Sequence, residues 1–220
     1  MPPIAGVANG AMIMEDVLFD DLEFESMERS MKPKVLGSKL LDEAFYDTPL
    51  DFFNMFSSVA GVVGNTGQGT YAAANMYMAG LVLKRRKRGV VGSAIAYSPL
   101  MGLGYINRTD ETMGDKFRSM GISLLSETDF HYAFAEAIKE GQAKCHDRAE
   151  LITGCSPMVL ADVVRGRIRS DIRFSHLNLE RTTGKAGSGS GANSSVKAQL
   201  QQASSLEEVQ EIILGKDPAR

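Results

Sequence analysis

The sequence predicts an α/β protein built on a doubly wound parallel sheet. Three observations carry that expectation. Short apolar runs that suit buried parallel strands recur at residues 3–8, 50–56, 90–97 and 150–154. Longer segments of helical period separate them, and strands alternating with helices place helices on both faces of a parallel sheet. The composition is that of an ordinary globular chain, 44% hydrophobic and 23% charged in 220 residues. A chain of this size buries a core without disulfide or metal staples.

In chain order, residues 3–8 (PIAGVA) read as the first strand. Residues 16–31 carry a helical period through Val17, Leu18, Leu22 and Met27. A second helix is expected over 34–45, with Val35, Leu36, Leu40, Leu41 and Phe45 apolar; Pro33 either opens it or kinks a longer helix. Leu50–Phe56 is the second strand and runs into Ser57 and Ser58. Gly61, Gly64 and Gly67 punctuate a loop, after which a helix runs from about Thr70 to Arg88 and stops at Gly89. Residues 90–97 read as the third strand. Past Pro99 the chain is glycine-rich and without firm periodicity. Residues 126–140 read as an amphipathic helix with Ser126 as N-cap and Asp129 in its first turn. Residues 150–154 form a last short strand. From Arg181 the composition changes to the Gly/Ser-rich TTGKAGSGSGANSS, a flexible linker, and then to a short helical tail clearest at Leu206–Leu214. The expected organisation is therefore 1–180 as one domain, 181–195 as linker and 196–220 as the helical start of another.

Several function classes are disfavoured. The net charge of −3 gives no pull towards nucleic acid or anionic membrane. No run reaches the roughly 20 apolar residues that span a bilayer. The N-terminus lacks the basic segment of a signal peptide. Two cysteines, Cys145 and Cys155, without a CxxC, fit a reducing, cytoplasmic compartment and argue against a metal site. His131 and His146 have no ligand-spaced partners and read as surface residues. The run Lys84-Arg85-Arg86-Lys87-Arg88 reads as a solvated face at a helix C-terminus, with a docking surface for an acidic partner domain or a nucleic-acid contact as the alternatives.

The residues that carry chemistry gather around the second strand. In an open parallel sheet, ligands sit outside the carboxyl ends of the strands, where Ser57 and Ser58 lie. Tyr71 follows Ser58 by 13 residues, through the glycine loop, at the start of a helix. Asn75 stands one turn further on the same face. Lys34 precedes Ser58 by 24 residues on a flanking helix and can reach the same rim. A hydroxyl, a phenol, an amide and an ammonium make a proton-delivery set. A nearby cation lowers a tyrosine pKa, and a serine hydroxyl can hold a carbonyl oxygen while charge develops on it. Spacing alone leaves the plainer reading open, in which Tyr71 packs and Lys34 is solvated.

The flanking text decides more. MFSSVAGVVGNTGQGTYAAANMYMAGL resembles the catalytic segment of the ketoreductase domain of polyketide synthases, a branch of the short-chain dehydrogenase/reductase family. That resemblance implies Tyr71 as proton donor, Ser58 as carbonyl partner, and Lys34 and Asn75 as its support. The lysine and asparagine are exchanged relative to ordinary members, so KPKVLGS supplies the lysine. AGVANGAMIMEDVLF resembles the segment bordering the cofactor, with Asn9, Gly10 and Ala11 as backbone lining. IAYSPLMGLGYI resembles the segment after the next strand, placing Pro99 and Leu100 beside the nicotinamide. The wording is most like highly reducing fungal synthases, including those fused to a peptide synthetase. The resemblance runs from about Ile4 to Leu179 and implies the C-terminal half of a Rossmann-like reductase. The activity implied is NADPH-dependent reduction of a β-ketoacyl thioester to a β-hydroxyacyl thioester, with other synthase domains as partners. SSLEEVQEIILG resembles the first helix of an acyl carrier domain, whose phosphopantetheine arm would present the substrate; the serine that carries the arm is not in this sequence. Two departures stand out. The phosphate-binding GxGxxG is absent, which implies that this chain alone holds the cofactor poorly. Met14-Glu15-Asp16 stands where some relatives have Leu-Asp-Asp. A catalytically inactive docking remnant of a partial gene is the competing expectation.

Overall fold

The computed structural model describes residues 2–101, 113–142, 149–155, 168 and 171–177. All lie within Met1–Glu180, the first of the two units into which the chain divides. The expected linker and helical tail, Cys145 and His146 lie outside the described residues.

Four parallel strands form one sheet in the order β1-β2-β3-β4: β1 (Gly6–Asn9), β2 (Phe52–Ser58), β3 (Ser93–Tyr97) and β4 (Glu150–Ile152). Helix α1 (Phe24–Ala44) connects β1 to β2. The short α2 (Val59–Val63) and α3 (Gly69–Lys87) connect β2 to β3, and α4 (Met113–Ser119) and α5 (Glu127–Gly141) lead to β4. This is the α/β, Rossmann-like sheet that the strand–helix alternation predicts.

Strand β2 divides the core. Phe53 and Met55 face α3, where they pack with Met78 and Val82. On the opposite face, Phe52 and Phe56 meet Phe134 of α5 edge-to-face at 5.9 and 5.6 Å, and Ile95 packs on Ala133 and Ala137. Helix α5 starts where expected: Ser126 and Asp129 form a reciprocal capping box. Helix α3 stops before Gly89, whose φ of +81° suits glycine.

Three expectations need correction. The two helices expected over 16–31 and 34–45 are a single helix with Pro33 inside it. Residues 16–23 stay out of that helix apart from a 3-10 turn at Phe19–Asp21. The loop before α3 claims them: the Val17 amide donates to the Gly67 carbonyl at 2.9 Å, and the Gln68 amide donates to Asp16 at 3.0 Å. The buried face of α1 also differs from the apolar positions named above. Leu36 and Leu40 are exposed, while Ser30, Lys34, Ser38 and Asp42 are buried. Finally, α4 lies in the stretch that shows no periodicity in the sequence.

Candidate active site

Lys34, Ser58, Tyr71 and Asn75 come from α1, the end of β2 and the first two turns of α3, and they meet at the carboxyl edge of the sheet. Ser58 is both the last residue of β2 and the N-cap of α2. Its extended backbone (φ −141°, ψ 144°) turns the side chain so that Oγ accepts from the Ala60 amide at 3.2 Å. One lone pair is thereby used, and the hydroxyl proton remains available to an incoming oxygen.

Tyr71 and Asn75 occupy one face of α3, both buried. Asn75 donates from Nδ2 to the Tyr71 carbonyl at 2.7 Å, an i to i−4 bond that fixes the amide plane. Its Oδ1 is buried and has no hydrogen-bond partner among the described residues. Helix α2 crosses close to this turn: a Cβ on Gly61 would stand 3.3 Å from the Asn75 Cβ. Two further glycines shape the entry to α3, Gly64 and Gly67, with φ of +77° and +79°.

Lys34 projects from α1 into the same site. Its ammonium donates to the Phe56 carbonyl at 2.7 Å, touches the Met78 sulfur at 3.8 Å, and lies 5.5 Å from the centroid of the Tyr71 ring. Burial lowers its pKa to about 8. The Tyr71 phenol is raised above the ordinary tyrosine value, first by burial, with hydrogen bonding to the Ser58 and Asn75 side chains opposing. The expectation that the lysine cation lowers the phenol therefore does not describe this state. The ammonium is committed to a strand carbonyl and sits over the ring, so desolvation governs the hydroxyl. A phenol held in its acid form is the state a proton donor requires.

The other expected site residues line the same edge. Gly10 and Ala11 are exposed at the end of β1, but the Asn9 side chain turns inward. It donates to Ser38 Oγ at 2.9 Å and the Pro33 carbonyl at 3.3 Å, and accepts from the Ala11 amide at 3.0 Å. Pro99 and Leu100 are half-buried beyond β3, tied down by the Leu125 amide donating to the Pro99 carbonyl at 2.9 Å and by a bridge between Leu100 and Leu125. The edge thus offers small residues at Gly10-Ala11 after β1 and a proline–leucine surface after β3, with the end of β2 between them. A Cβ at Gly10 would stand 3.0 Å from the Phe56 ring, so a side chain there would press on that ring. That lining fits a flat, partly apolar ring lying across the strand ends, as a nicotinamide would.

Met12 and Gln68 escape the sequence reading, which singles out Asp16 within Met14-Glu15-Asp16. Met12 places its sulfur 3.8 Å from the Tyr71 hydroxyl while remaining exposed. Nothing in the local pattern of an irregular segment signals that contact. Asp16 and Gln68 pair across the mouth of the loop at 3.0 Å. The basic run at the end of α3 is also not the solvated face expected. Lys84 and Lys87 are exposed, but Arg85 and Arg86 are buried. Arg85 pairs with Asp42 of α1 at 2.5 Å because the last turn of α3 packs against α1. Among the described residues, no group of three or more His, Cys, Asp or Glu could hold a metal ion, and no helix is long and apolar enough to cross a membrane.

Comparison with known proteins places this segment in a family. Residues 1–102 match the KR domain family. The chain is 46% identical over its whole length to the hybrid PKS-NRPS synthetase prlS of Fungal sp. (strain NRRL 50135), of which it covers 5%. Over 90% of the chain it is 46% identical to the equisetin synthetase eqxS of Fusarium heterosporum, again covering 5% of that protein. The chain thus spans about one-twentieth of the curated relatives it matches. Among solved structures, an A-type ketoreductase from a modular polyketide synthase superposes with a TM-score of 0.63 at 26% identity, over 73% of this chain and 32% of that one. The ketoreductase from the first module of phoslactomycin biosynthesis in Streptomyces sp. HK803 superposes with a TM-score of 0.60 at 26% identity, over 81% and 38%. With the four-residue site inside the matched segment, residues 1–102 belong to the KR domain family, and the fold around them is that of solved polyketide synthase ketoreductases.

Proposed function

We propose that this chain supplies the proton-donating half of a ketoreductase that reduces a β-ketoacyl thioester to a β-hydroxyacyl thioester with NADPH. The substrate arrives on the phosphopantetheine arm of an acyl carrier domain within a larger cytoplasmic synthase, and residues 196–220 are the start of such a carrier. The carrying observation is the convergence of Ser58, Tyr71, Asn75 and Lys34 on one edge of the sheet.

NADPH, when bound, supplies the hydride. Gly10, Ala11, Pro99 and Leu100 are the residues of this chain that would lie against it. The Ser58 hydroxyl donates to the substrate carbonyl and holds it beside the Tyr71 hydroxyl. As negative charge develops on that oxygen, Tyr71 gives up its proton, and the Lys34 ammonium and Asn75 amide support the phenolate that remains. Burial of all but Ser58 keeps bulk water from competing for the proton.

The test is Tyr71→Phe in the complete reductase domain, with NADPH and a simple cyclic ketone such as a decalone. The substitution removes one oxygen and leaves the packing nearly unchanged. Ketone reduction should fall about 10²-fold or more, the usual scale for a lost general acid, while folding and NADPH binding persist. Near-normal turnover would make Tyr71 a packing residue and end the proposal.

A further inference from the structure

The buried face of α1 poses a problem that the reaction does not explain. A helix packed on a sheet ordinarily buries an apolar stripe. Here the most buried positions are Ser30, Lys34, Ser38 and Asp42, spaced four apart, with Leu41 and Phe45 only partly buried beside them. Three of these contacts lead to different elements. Lys34 reaches the carbonyl of Phe56 in β2, Ser38 accepts from Asn9 at the end of β1, and Asp42 grips the last turn of α3. Apolar contacts are non-directional and let a helix slide or roll; hydrogen-bonded polar contacts do not.

Asp42 is the charged anchor of this face. Its Oδ1 accepts from Arg85 at 2.5 Å and from Arg88 at 2.6 Å, and its Oδ2 accepts from Arg88 at 3.2 Å. Arg85 is fixed in turn. Its Nε donates to the Val91 carbonyl at 3.1 Å, and its guanidinium lies over the Phe53 ring, 3.8 Å from the centroid. Phe53 is three residues before Phe56, whose carbonyl receives Lys34. The cluster therefore joins α1, α3 and β2, the three elements that supply Lys34, Tyr71 with Asn75, and Ser58. Asp42 lies about 12 Å along the helix from Lys34, from eight residues at the helical rise.

The cluster is not optimised for stability. Arg85 Nη2 and Arg88 Nε are buried without hydrogen-bond partners among the described residues. Buried ion pairs commonly add little over apolar packing, and their best-attested use is to specify register. We infer that the Asp42–Arg85–Arg88 cluster is a positioning device, setting the register of α1 against α3 and β2 so that the Lys34 ammonium is presented to Tyr71. The inference rests on the catalytic reading of Lys34 given above.

The test compares Lys34→Ala, Asp42→Asn and the double variant in the complete reductase domain, scoring kcat and KM for ketone reduction on samples shown folded by circular dichroism. Asp42→Asn should lower kcat about tenfold while leaving KM for ketone and NADPH within about twofold, since a displacement of about 1 Å is enough to cost catalysis of that order. The double variant should be no slower than Lys34→Ala alone, because Asp42 acts through Lys34. Asp42→Glu, which keeps a carboxylate, should recover part of the rate. If Asp42→Asn does not fold, Ser38→Ala removes the neighbouring uncharged anchor without stranding a buried charge, and the same loss of kcat and non-additivity with Lys34→Ala are expected of it. Wild-type kcat in a folded single variant, or losses that multiply fully in the double, would overturn the inference and leave the cluster a purely structural contact. A Lys34→Ala variant with normal turnover would instead refute the catalytic reading itself.

Discussion

At the scale of single residues, Lys34 shows what the site costs. Burial brings its folded pKa to about 8 from an ordinary 10.5. The unfolded state therefore binds more protons between those values. The penalty for burying the ammonium is complete below about pH 8 and fades as the pH rises towards 10.5. A shift of this size corresponds to a penalty on the order of 3 kcal/mol. Lys34→Met, of similar length and uncharged, is accordingly expected to be more stable than the parent at pH 7, with the difference shrinking above pH 8, while ketone reduction falls. Denaturant unfolding at a series of pH values, paired with initial rates, measures both. A variant less stable than the parent at pH 7 would mean that the bond to the Phe56 carbonyl outweighs desolvation. In the sequence, spacing brings these residues to one rim, with 13 residues from Ser58 to Tyr71 and one helical turn to Asn75, but it leaves the plainer reading open; only the resemblance of the flanking text assigns them roles. Met12 was not legible. Its contact with Tyr71 spans 59 residues and arises from an irregular segment. The inward turn of Asn9 was hidden for a similar reason, since its partners Pro33 and Ser38 belong to a helix face that only the folded structure reveals.

At the scale of elements, legibility followed the source of each element's stability. Helix α5 carries its own signals. Ser126 and Asp129 bond reciprocally with the helix start, and Ala133 and Ala137 face the sheet beneath a polar exterior. Its reading needed no correction. Ser126→Ala should remove the cap and lower stability by about 1 kcal/mol, visible as a melting temperature reduced by a few degrees; an unchanged melting temperature would show that tertiary contacts alone hold the helix start. Helix α1 is the opposite case. Its interior proline argues for a break, because it removes a backbone donor, and of its apolar residues Leu36 and Leu40 are exposed while Leu41 and Phe45 are only partly buried. The row of polar contacts to β1, β2 and α3 runs along α1 through Pro33, and polar residues spaced four apart read in a sequence as a solvent-facing stripe rather than a buried one. The cationic run that closes α3 was misread on the same account. Nothing local distinguishes the buried Arg85 and Arg86 from the exposed Lys84 and Lys87; the packing of α3 on α1 does.

At the scale of the whole molecule, the two faces of the sheet carry core clusters with different obligations. The core towards α1 and α3 underlies the candidate site, and one of its members touches it directly: Met78 is fully buried among Phe53, Met55 and Val82, and its sulfur is 3.8 Å from the Lys34 ammonium. The core towards α5 rests on Ile95, Ala133 and Ala137, beneath a cluster of Phe56, Tyr97, Phe130 and Phe134 rings. A change in packing should therefore have different consequences on the two faces. Ala137 is 1% exposed, so Ala137→Leu forces extra methyl groups into a filled space and should destabilise by about 1–3 kcal/mol. The strands stand between it and Lys34, so kcat of the folded enzyme should stay within about twofold of the parent. Met78→Ala should destabilise by about 2–5 kcal/mol through lost transfer energy and the cavity left behind. It should also lower kcat, because the cavity lies beneath the lysine and lets the side chain leave the Phe56 carbonyl. Unfolding free energies and initial rates on the folded fractions of both variants test the division. Equal proportional losses of rate in the two would mean that the site responds to core packing as a whole, and that the sheet does not insulate it.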